Sequence, residues 1–508
     1  MTSCQMTSVN EVLVALNHPP LDKDIQLTGL TLDSRRLIGG ELFLAVPGFS
    51  SDGREFIKTA VASGAAAVLA ESVETSAFET ETLSGKPIIF IKDLKARISF
   101  LADQFYRQPS SKLKLTGVTG TNGKTSTCWF AAQLLSLLDE PCAVMGTLGK
   151  GVPPELEPCL NTTSDSVSTQ SFMAELVGSQ VHSMAMEVSS HGLHQGRADG
   201  LQFEVGVFTN ISRDHLDYHQ TMDAYAEAKA LLFVGGRVKK AVINLDDEYS
   251  GLMLSRCSEE TETFTFSMVS AQADIFANNI TLDSEGVKSD LITPWGEGQL
   301  KTPQFGRFSL ENLLAVIGAV CCQGFSLEQV LEQLPQLIPV PGRMQRLGGG
   351  QKPVVVVDYA HTSDALVSVL TALREHGASK LICVFGCGGD RDRGKRPLMA
   401  RAAVQGADEV VVTSDNPRSE DPSEIIRDAL AGVEQSDTPV TSVINRAEAI
   451  QLAICKAGAG DIVVIAGKGH EDYQEINGIR HSFDDCEEAI KALDLWKPST
   501  ASYTEEGL

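Results

Sequence analysis

Residues 113–138 read LKLTGVTGTNGKTSTCWFAAQLLSLL. The apolar run 113–119 predicts a buried strand, and the pattern of residues 126–138 predicts a helix. A glycine-rich loop lies between them, GTNGKT at residues 120–125. Such a loop presents backbone N–H groups and the positive end of a helix to phosphates, while its lysine reaches the outer phosphates and its threonine can bind Mg²⁺. The stretch therefore predicts an α/β domain with a phosphate-binding loop, here called the P-loop.

The P-loop is a shorter variant of the usual phosphate-binding motif. That motif has a glycine five residues before Gly123, where this chain has Val118. A chance Gly-Lys-Thr in a surface turn is the alternative, but the predicted strand and helix on either side favour a phosphate site. The candidate nucleotide-binding residues are Gly120, Thr121, Asn122, Gly123, Lys124 and Thr125.

Two further strands are predicted downstream of the P-loop. Residues 184–188 are apolar except for Glu187, and an acid at the end of a strand beside a P-loop is a common anchor for nucleotide-bound magnesium. A solvated glutamate is the alternative. The next strand, residues 205–209, leads into ISRDHLDYH at residues 211–219, whose two histidines and two aspartates fit either a polar helix start or a metal site.

The last third of the chain consists of repeated strand–helix units. Short β-branched runs at residues 354–357, 381–385, 409–413 and 462–466 each precede a longer amphipathic stretch. Runs that are apolar on both faces predict a parallel, doubly wound sheet, which binds ligands beyond the carboxyl ends of its strands. Candidate ligand-binding residues are therefore expected in the segments that follow these runs.

Length, prolines and polar stretches suggest the domain organisation. A chain of 508 residues is typical of about three domains. Boundaries are predicted at the polar stretch QPSS, residues 108–111, and at Pro335, Pro339 and Pro341. The predicted domains are residues 1–110, 111–340 and 341–508. The predicted fold class is α/β with three domains, comprising a central P-loop ATPase-like parallel or mixed sheet and a C-terminal Rossmann-like doubly wound sheet.

The charge balance excludes some partners. The 42 basic and 66 acidic residues give a net charge of −24, which disfavours nucleic acid and anionic membrane surfaces. No apolar stretch approaches the roughly 18 residues needed to cross a bilayer, and the first residues do not resemble a secretory signal. We expect a cytoplasmic monomer that acts on small molecules, without nucleic-acid binding or membrane insertion. Any polyanionic ligand would need a local cationic or metal-lined site.

The motifs together resemble the Mur ligases, ATP-dependent amide-forming enzymes of peptidoglycan precursor synthesis. The resemblance is carried by TGTNGKT at residues 119–125, EVSSH at 187–191, DHLDYH at 214–219 and Ala228-Lys229. It extends over essentially the whole chain through NTT at 161–163, PGRM at 341–344, DYAH at 358–361, GGDRD at 388–392, DNPR at 415–418 and GKGHE at 467–471. A folylpolyglutamate synthetase-like ligase would share the P-loop but would not explain residues 415–418 or the first domain.

The resemblance implies a catalytic set of Lys124, Glu187, His215 and Lys229. Thr125 and Glu187 would bind Mg²⁺ at the ATP phosphates, and His215 would bind a second Mg²⁺ ion. Lys229 would carry a carbamate derived from CO₂ (N6-carboxylysine), which turns a repelled cation into an oxygen ligand for the metal. Without the resemblance, Lys229 fits an exposed helix lysine.

ATP binding would be completed by Arg343, Asp358 and His361, although His361 also fits a structural histidine at a strand end. The resemblance places the nucleotide-sugar substrate on Leu32, Ser34, Asn161, Thr162, Thr163, Ser189, Gln195 and Arg197. Leu32 alone also fits a core residue. The turn at Phe49-Ser50-Ser51 lacks the polar pair that some relatives use near uracil, which leaves that contact open.

Residues 415–418 resemble the motif of ligases that add meso-2,6-diaminopimelate, whereas lysine-adding relatives lack the arginine. Diaminopimelate is lysine with an additional carboxylate, which Arg418 can bind with a charge-assisted pair of hydrogen bonds, while the ammonium of lysine would be repelled. A solvated turn arginine is the alternative. The candidate amino-acid-binding residues are Arg391, Asp415, Asn416, Pro417, Arg418, Gly467 and Glu471.

The expected reaction is the ATP-dependent addition of meso-2,6-diaminopimelate to UDP-N-acetylmuramoyl-L-alanyl-D-glutamate through an acyl phosphate. A lysine-adding ligase is the nearest alternative within the family. From other classes, a P-loop nucleotide switch or a non-catalytic scaffold remains possible. A switch would hydrolyse nucleotide without an amine, so substrate-dependent ADP release separates it from a ligase.

Overall fold

The computed structural model describes residues 6–48, 51–72, 79–433 and 436–498. The chain divides into two compact units. The first contains residues 1–276 and 314–330, and the second contains residues 277–313 and 331–508. Three elements, one strand and two helices, contribute residues to both units.

The N-terminal part of the first unit is a five-stranded sheet with helices on its faces. Its elements are α1 (Val9–Ala15), β1 (Leu30–Thr31), β2 (Leu42–Ala45), α2 (Ile57–Ala62), β3 (Ala67–Glu71), β4 (Thr80–Leu83), β5 (Lys86–Ile91) and α3 (Leu94–Phe105). The strand order is β1-β2-β3-β5-β4, parallel except for β4. Helix α1 begins at a capping box, in which Ser8 and Glu11 bind each other's backbone N–H groups.

The rest of the first unit surrounds the P-loop strand. The elements here are β6 (Lys114–Thr119), α4 (Lys124–Leu137), β7 (Cys142–Gly146), β8 (Gly149–Gly151), α5 (Ser166–Gly178), β9 (Ser183–Glu187), α6 (Ser190–His194), β10 (Phe203–Phe208), α7 (Leu216–His219), α8 (Met222–Ala230), β11 (Val238–Asn244), α9 (Ser250–Arg256), β12 (Glu262–Ser267) and the start of β13 (Ile275–Asp283). The strands run in the order β13-β12-β11-β10-β6-β9-β7-β8. All pairs are parallel except β7 with β8, so the sheet is mixed, as predicted.

The second unit contains a hairpin and a larger sheet. Its elements, with two helices shared at the division, are β14 (Gly286–Thr293), β15 (Gly296–Thr302), α10 (Arg307–Cys322), α11 (Leu327–Gln333), β16 (Gln345–Gly348), β17 (Val354–Asp358), α12 (Ser363–Glu375), β18 (Leu381–Cys387), α13 (Lys395–Gly406), β19 (Glu409–Ser414), α14 (Pro422–Leu430), β20 (Val440–Val443), α15 (Arg446–Lys456), β21 (Ile462–Ala466), β22 (Tyr473–Ile476), β23 (Ile479–Ser482) and α16 (Asp485–Leu495). The large sheet has the order β16-β17-β21-β18-β19-β20, with only the edge strand β16 antiparallel.

Side chains alternate between the two faces of this sheet. Val354 and Val356 of β17 pack with α12, α13 and α14, whereas Val355 and Val357 pack with α15 and α16. Both faces are therefore covered by helices, which explains why the strands are apolar along their whole length. The predicted α/β fold class with a doubly wound C-terminal sheet is confirmed. The boundaries at residues 110 and 340 stay predictions.

Candidate active site

The P-loop connects β6 to α4 in a conformation that requires glycine. Gly120 has a φ of +149°, and a side chain there would collide with Thr209 Oγ1. The loop is held by Asn210, whose backbone oxygen accepts from Thr121 N at 2.7 Å and whose Oδ1 accepts from Asn122 N at 3.0 Å. Asn210 follows β10 and was missed by the sequence analysis. Since Asn210 uses these two N–H groups, those at the start of α4 are the ones placed to meet phosphates.

Two lysines converge on the P-loop. Lys124 Nζ donates to the carbonyl oxygens of Gly120 and Thr121, both at 2.8 Å. Lys229 Nζ donates to the same Gly120 oxygen at 2.6 Å and lies 4.4 Å from the centre of the Tyr225 ring. Lys229 is only 1% exposed, so it is not an exposed helix lysine. Burial, assisted by the charge of Lys124, lowers the pKa of Lys229 well below its usual value.

Glu187 is the second anchor beside the P-loop. Its Oε1 accepts from Thr125 Oγ1 at 3.0 Å and from Thr147 N at 2.8 Å, and its Oε2 accepts from Thr147 Oγ1 at 3.3 Å. A side chain at Gly146 would collide with this carboxylate. The hydroxyl and carboxylate are the hard oxygen ligands that Mg²⁺ prefers, so the residues fit that ion. Within the part of the chain that the structure describes, no three His, Cys, Asp or Glu side chains form a metal-binding group.

The segment that contains His215 begins a helix, as one of the two sequence interpretations expected. His215 immediately precedes α7, and its half-exposed ring lies 3.3 Å from Asp214 Oδ2. The ring is 4.8 Å from that of His191, whose pKa is lowered by burial and by His215. His219 is buried against Ser190 Oγ at 3.0 Å, and burial lowers the pKa of His219 to about 4. A metal-binding role for His215 stays a prediction.

A cavity of about 1250 Å³ opens between the N-terminal sheet and the P-loop part of the same unit. Five predicted substrate residues line it: Leu32, Ser34, Asn161, Gln195 and Arg197. Leu32 also packs against the N-terminal core, as the core interpretation expected, and its contact with substrate stays a prediction. Arg197 donates to the Thr163 carbonyl oxygen at 2.7 Å and to Gln195 Oε1 at 2.6 Å, and burial lowers the pKa of Arg197. Phe49 and Ser50, near the expected uracil contact, lie outside the described residues.

Hydrogen bonds connect the remaining substrate residues to Glu187. The hydroxyls of Thr162 and Thr147 lie 3.1 Å apart, and Thr147 in turn bonds the Glu187 carboxylate. Thr163 Oγ1 donates to the Glu187 carbonyl oxygen and accepts from Ser189 N, both at 2.9 Å. Three predicted substrate residues, Thr162, Thr163 and Ser189, thus belong to one hydrogen-bond network with Glu187. The sequence did not identify Thr147 as a site residue. Its position directly after β7 is the signal that could have found it.

In the second unit, the segments after β19 and β21 meet around a buried lysine. Asn416 Nδ2 donates to Glu471 Oε2 at 2.8 Å. Lys468, which is fully buried, donates to Asn416 Oδ1 at 3.2 Å and to Glu471 Oε2 at 3.3 Å, and lies 4.0 Å from Asp415 Oδ1. Sequence reasoning missed Lys468, because a lysine between two glycines is typical of an exposed turn. The structure brings Asp415, Asn416, Gly467 and Glu471 together, and their binding of an amino acid stays a prediction.

Arg418 is held in an unusual backbone conformation. Its φ is +50°, and its backbone N–H and C=O bond Glu475 O and Asn477 N at 2.9 and 2.7 Å. The guanidinium donates to Gly389 O at 2.8 Å. A Cβ placed on Gly388 would lie 3.0 Å from Arg418 Nη1 and 3.8 Å from Cγ of the exposed Arg391. Arg391, Pro417 and Arg418 therefore share one rim of this segment, beside the tightly packed Gly389.

The three predicted ATP residues of the second unit also cluster. Asp358 is the last residue of β17, and its carboxylate accepts hydrogen bonds from Met344 N and Ala360 N, both at 2.8 Å. Burial raises the pKa of Asp358, while the charges of the exposed Arg343 and His361 act in the opposite direction. His361 Nδ1 contacts Tyr359 O at 2.9 Å. Their role in ATP binding stays a prediction.

Comparison with known proteins agrees with this arrangement. Family models match residues 26–106 (Mur ligase family, catalytic domain), 118–320 (Mur ligase middle domain) and 342–469 (Mur ligase, glutamate ligase domain). The chain is 50% identical over 479 residues, 94% of its length and 97% of the relative's, to the UDP-N-acetylmuramoyl-L-alanyl-D-glutamate--2,6-diaminopimelate ligase of Pseudomonas aeruginosa. It is 49% identical to the protein of that name from Ectopseudomonas mendocina, covering 95% and 98% of the two chains.

A solved structure of a UDP-N-acetylmuramoyl-L-alanyl-D-glutamate--2,6-diaminopimelate ligase is also similar. It superimposes with a TM-score of 0.75 at 40% sequence identity, covering 96% of this chain and 99% of that one. None of the described helices is long and apolar enough to span a membrane.

Proposed function

The chain belongs to the Mur ligase family of ATP- and Mg²⁺-dependent ligases, and we propose that it adds 2,6-diaminopimelate to UDP-N-acetylmuramoyl-L-alanyl-D-glutamate. The observation that carries this proposal is the hydrogen-bond network from the P-loop residue Thr125 through Glu187 and Thr147 to Thr162. The network runs from the P-loop to Thr162, which is adjacent in sequence to Asn161, and Asn161 lines the cavity of about 1250 Å³. A simple nucleotide switch would have no need of that connection.

In the proposed reaction, a carboxylate of the nucleotide-linked peptide attacks the γ-phosphorus of ATP, and ADP leaves. The amine of diaminopimelate then attacks the acyl carbon, loses a proton and displaces phosphate. Because carboxylate and triphosphate are both anionic, the first step needs concentrated positive charge. Lys124, the first residue of α4, supplies one such charge at the P-loop. Magnesium bound by Thr125 and Glu187 would neutralise further phosphate charge.

We also propose that Lys229 is carbamylated. Its neutral amine would attack CO₂, forming an N–C bond, while one C=O electron pair moves to oxygen and the nitrogen loses a proton. The lowered pKa of Lys229 supports this step, because only the uncharged amine has a lone pair to donate. The resulting anion would be paired with Lys124. Together with His215 it would offer ligands to a second Mg²⁺ ion.

The amino-acid site is proposed in the second unit, for the meso isomer of diaminopimelate. Arg418 and Arg391 would bind the additional carboxylate, and Asp415, Asn416, Gly467 and Glu471 would bind the remaining amino and carboxylate groups. The rim that carries Arg391 and Arg418, beside the carboxylates of Asp415 and Glu471, is complementary to a zwitterionic end group. We also propose that the protein is a monomer and that it is located in the cytoplasm, where ATP and nucleotide sugars are found.

The test is a phosphate-release assay on the purified chain with ATP, Mg²⁺ and UDP-N-acetylmuramoyl-L-alanyl-D-glutamate. Diaminopimelate and lysine are offered in parallel, with a third reaction lacking any amine. We expect sustained phosphate release and a product of the corresponding mass with diaminopimelate alone. Equal release without an amine would point to a nucleotide switch, and preferential use of lysine would assign the alternative substrate.

A further inference from the structure

A fully buried ion pair lies beneath the proposed amino-acid site. Arg446 begins α15 and Asp485 begins α16, and both side chains have no exposure. Arg446 Nε and Nη2 donate to the two carboxylate oxygens of Asp485, each at 2.7 Å. A buried ion pair is often no more stabilising than apolar residues of the same volume. Its presence therefore calls for a function other than stability.

The remaining donors of Arg446 reach the ends of two strands. Nη1 donates to the carbonyl oxygen of Ser414, the last residue of β19, at 3.3 Å. Nη2 donates to the carbonyl oxygen of Ala466, the last residue of β21, at 3.1 Å. In the sheet, β18 lies between β19 and β21. Arg446 thus connects the ends of two strands that are not neighbours.

Each of these carbonyl groups directly precedes a segment of the proposed amino-acid site. Asp415 follows Ser414, and Gly467 follows Ala466. The segments themselves, residues 415–418 and 467–471, touch through Asn416, Lys468 and Glu471. Their separation therefore depends on the positions of the two strand ends that Arg446 holds.

We propose that Arg446, oriented by Asp485, is a positioning residue that sets the spacing between residues 415–418 and 467–471 and thereby the specificity for the incoming amino acid. The inference rests on the proposed function, because it assigns these segments to that substrate. Diaminopimelate must be bound at several charged groups at once, so a change in spacing weakens several bonds together. Displacements of about 1 Å can cost on the order of a hundredfold in rate.

The experiment replaces both partners, as Arg446→Met with Asp485→Leu. Removing a buried pair together can leave the fold intact, whereas removing one partner leaves an uncompensated charge. Folding is checked by circular dichroism and thermal melting. We expect KM for diaminopimelate to rise about tenfold. KM for ATP and for the nucleotide-peptide should stay within about twofold, and discrimination against lysine should fall.

The matched control lies at the opposite end of the same sheet. Arg374 donates to Asp408 Oδ2 at 2.7 Å and to the Gly406 carbonyl oxygen at 3.0 Å, near the start of β18. The control variant, Arg374→Met with Asp408→Asn, removes an arginine–aspartate pair that is exposed and lies away from the proposed site. It should leave all three KM values unchanged.

The outcomes separate this inference from the proposed function. If the wild-type chain does not use diaminopimelate, the proposed function fails first. If the wild type is active and the folded double variant keeps every KM, or loses kcat with no selective change in KM, the positioning role is overturned. Should the double variant not fold, Arg446→Lys decides, because one ammonium cannot span Asp485 and both carbonyl groups. The same selective rise in KM is expected there, and an unchanged KM overturns the inference.

Discussion

Lys124 and Lys229 donate hydrogen bonds to the same oxygen atom, the backbone carbonyl of Gly120, at 2.8 and 2.6 Å. Two cations at one acceptor repel each other, and the repulsion is strongest where water is excluded. Burial, together with this repulsion, lowers the pKa of Lys229 well below its usual value. Burial at the P-loop therefore favours the uncharged form of the Lys229 amine next to Lys124.

CO₂ should control activity through Lys229. In buffer depleted of CO₂ and bicarbonate, we expect the ligase rate to fall and to recover when bicarbonate is added. Native mass spectrometry should show the recovered enzyme heavier by one CO₂. The variant Lys229→Met removes the amine and should stay inactive in both buffers. Full activity of an unmodified Lys229 at saturating bicarbonate would contradict carbamylation.

The sequence was most informative where a local pattern determines structure. The apolar runs beginning at Val354, Leu381, Glu409 and Ile462 predicted the doubly wound sheet, since strands buried on both faces must be apolar throughout. The P-loop was predicted from a strand, a glycine turn and a helix that are contiguous in the chain. The structure places β6 and α4 on either side of that turn.

What the sequence could not predict depends on distant partners. Lys229 and Lys468 are charged side chains that are normally exposed, and their burial follows from contacts with segments elsewhere in the chain. Arg446 and Asp485 are 39 residues apart in sequence. Thr147 contacts Glu187 only because β7 lies beside β9, which ends at Glu187. Periodicity carries no information about such pairings.

Thr147 should control the affinity for magnesium. The variant Thr147→Val keeps the backbone N–H on Glu187 but removes the hydroxyl that bonds Oε2. Since groups that orient a metal ligand are commonly worth tenfold or more, we expect the Mg²⁺ concentration for half-maximal activity to rise about tenfold. Thr147→Ser restores the hydroxyl and serves as the control. An identical Mg²⁺ titration for the valine and serine variants would remove Thr147 from the metal network.

Arg418 should decide between diaminopimelate and lysine. Arg418→Ala removes a charge-assisted pair of hydrogen bonds. Transition-state binding of diaminopimelate should weaken by about 2 kcal/mol, which lowers kcat/KM for this substrate. Lysine should be used more readily, because the repulsion of its ammonium is lost. Arg418→Lys keeps the charge without the planar fork and should give an intermediate value. Unchanged kinetics with both amines would show that another residue binds the additional carboxylate.

Acid should destabilise the second unit through Glu420. The bidentate contact with buried Arg396, followed by the bond from Asp390 N, lowers the pKa of Glu420 from 4.5 to about 2. A carboxyl with a lowered pKa in the folded state contributes stability above its unfolded pKa. That contribution is lost as the pH falls from about 4.5 towards 2. Glu420→Gln should therefore lower the melting temperature at pH 7, with the difference from wild type narrowing below pH 4.5.

The exposed pair of Lys491 and Glu488 supplies the control for that measurement. Their side chains are 2.7 Å apart on α16, and such exposed pairs contribute little to stability. Glu488→Gln should shift the melting curve only slightly at any pH. A difference in melting temperature between wild type and Glu420→Gln that stays constant from pH 7 to pH 3 would show that Glu420 acts through its shape rather than its charge. A difference in melting temperature that narrows at low pH would identify the ion pair of Glu420 and Arg396 as acid-sensitive. This pair supports the segment that contains Arg391.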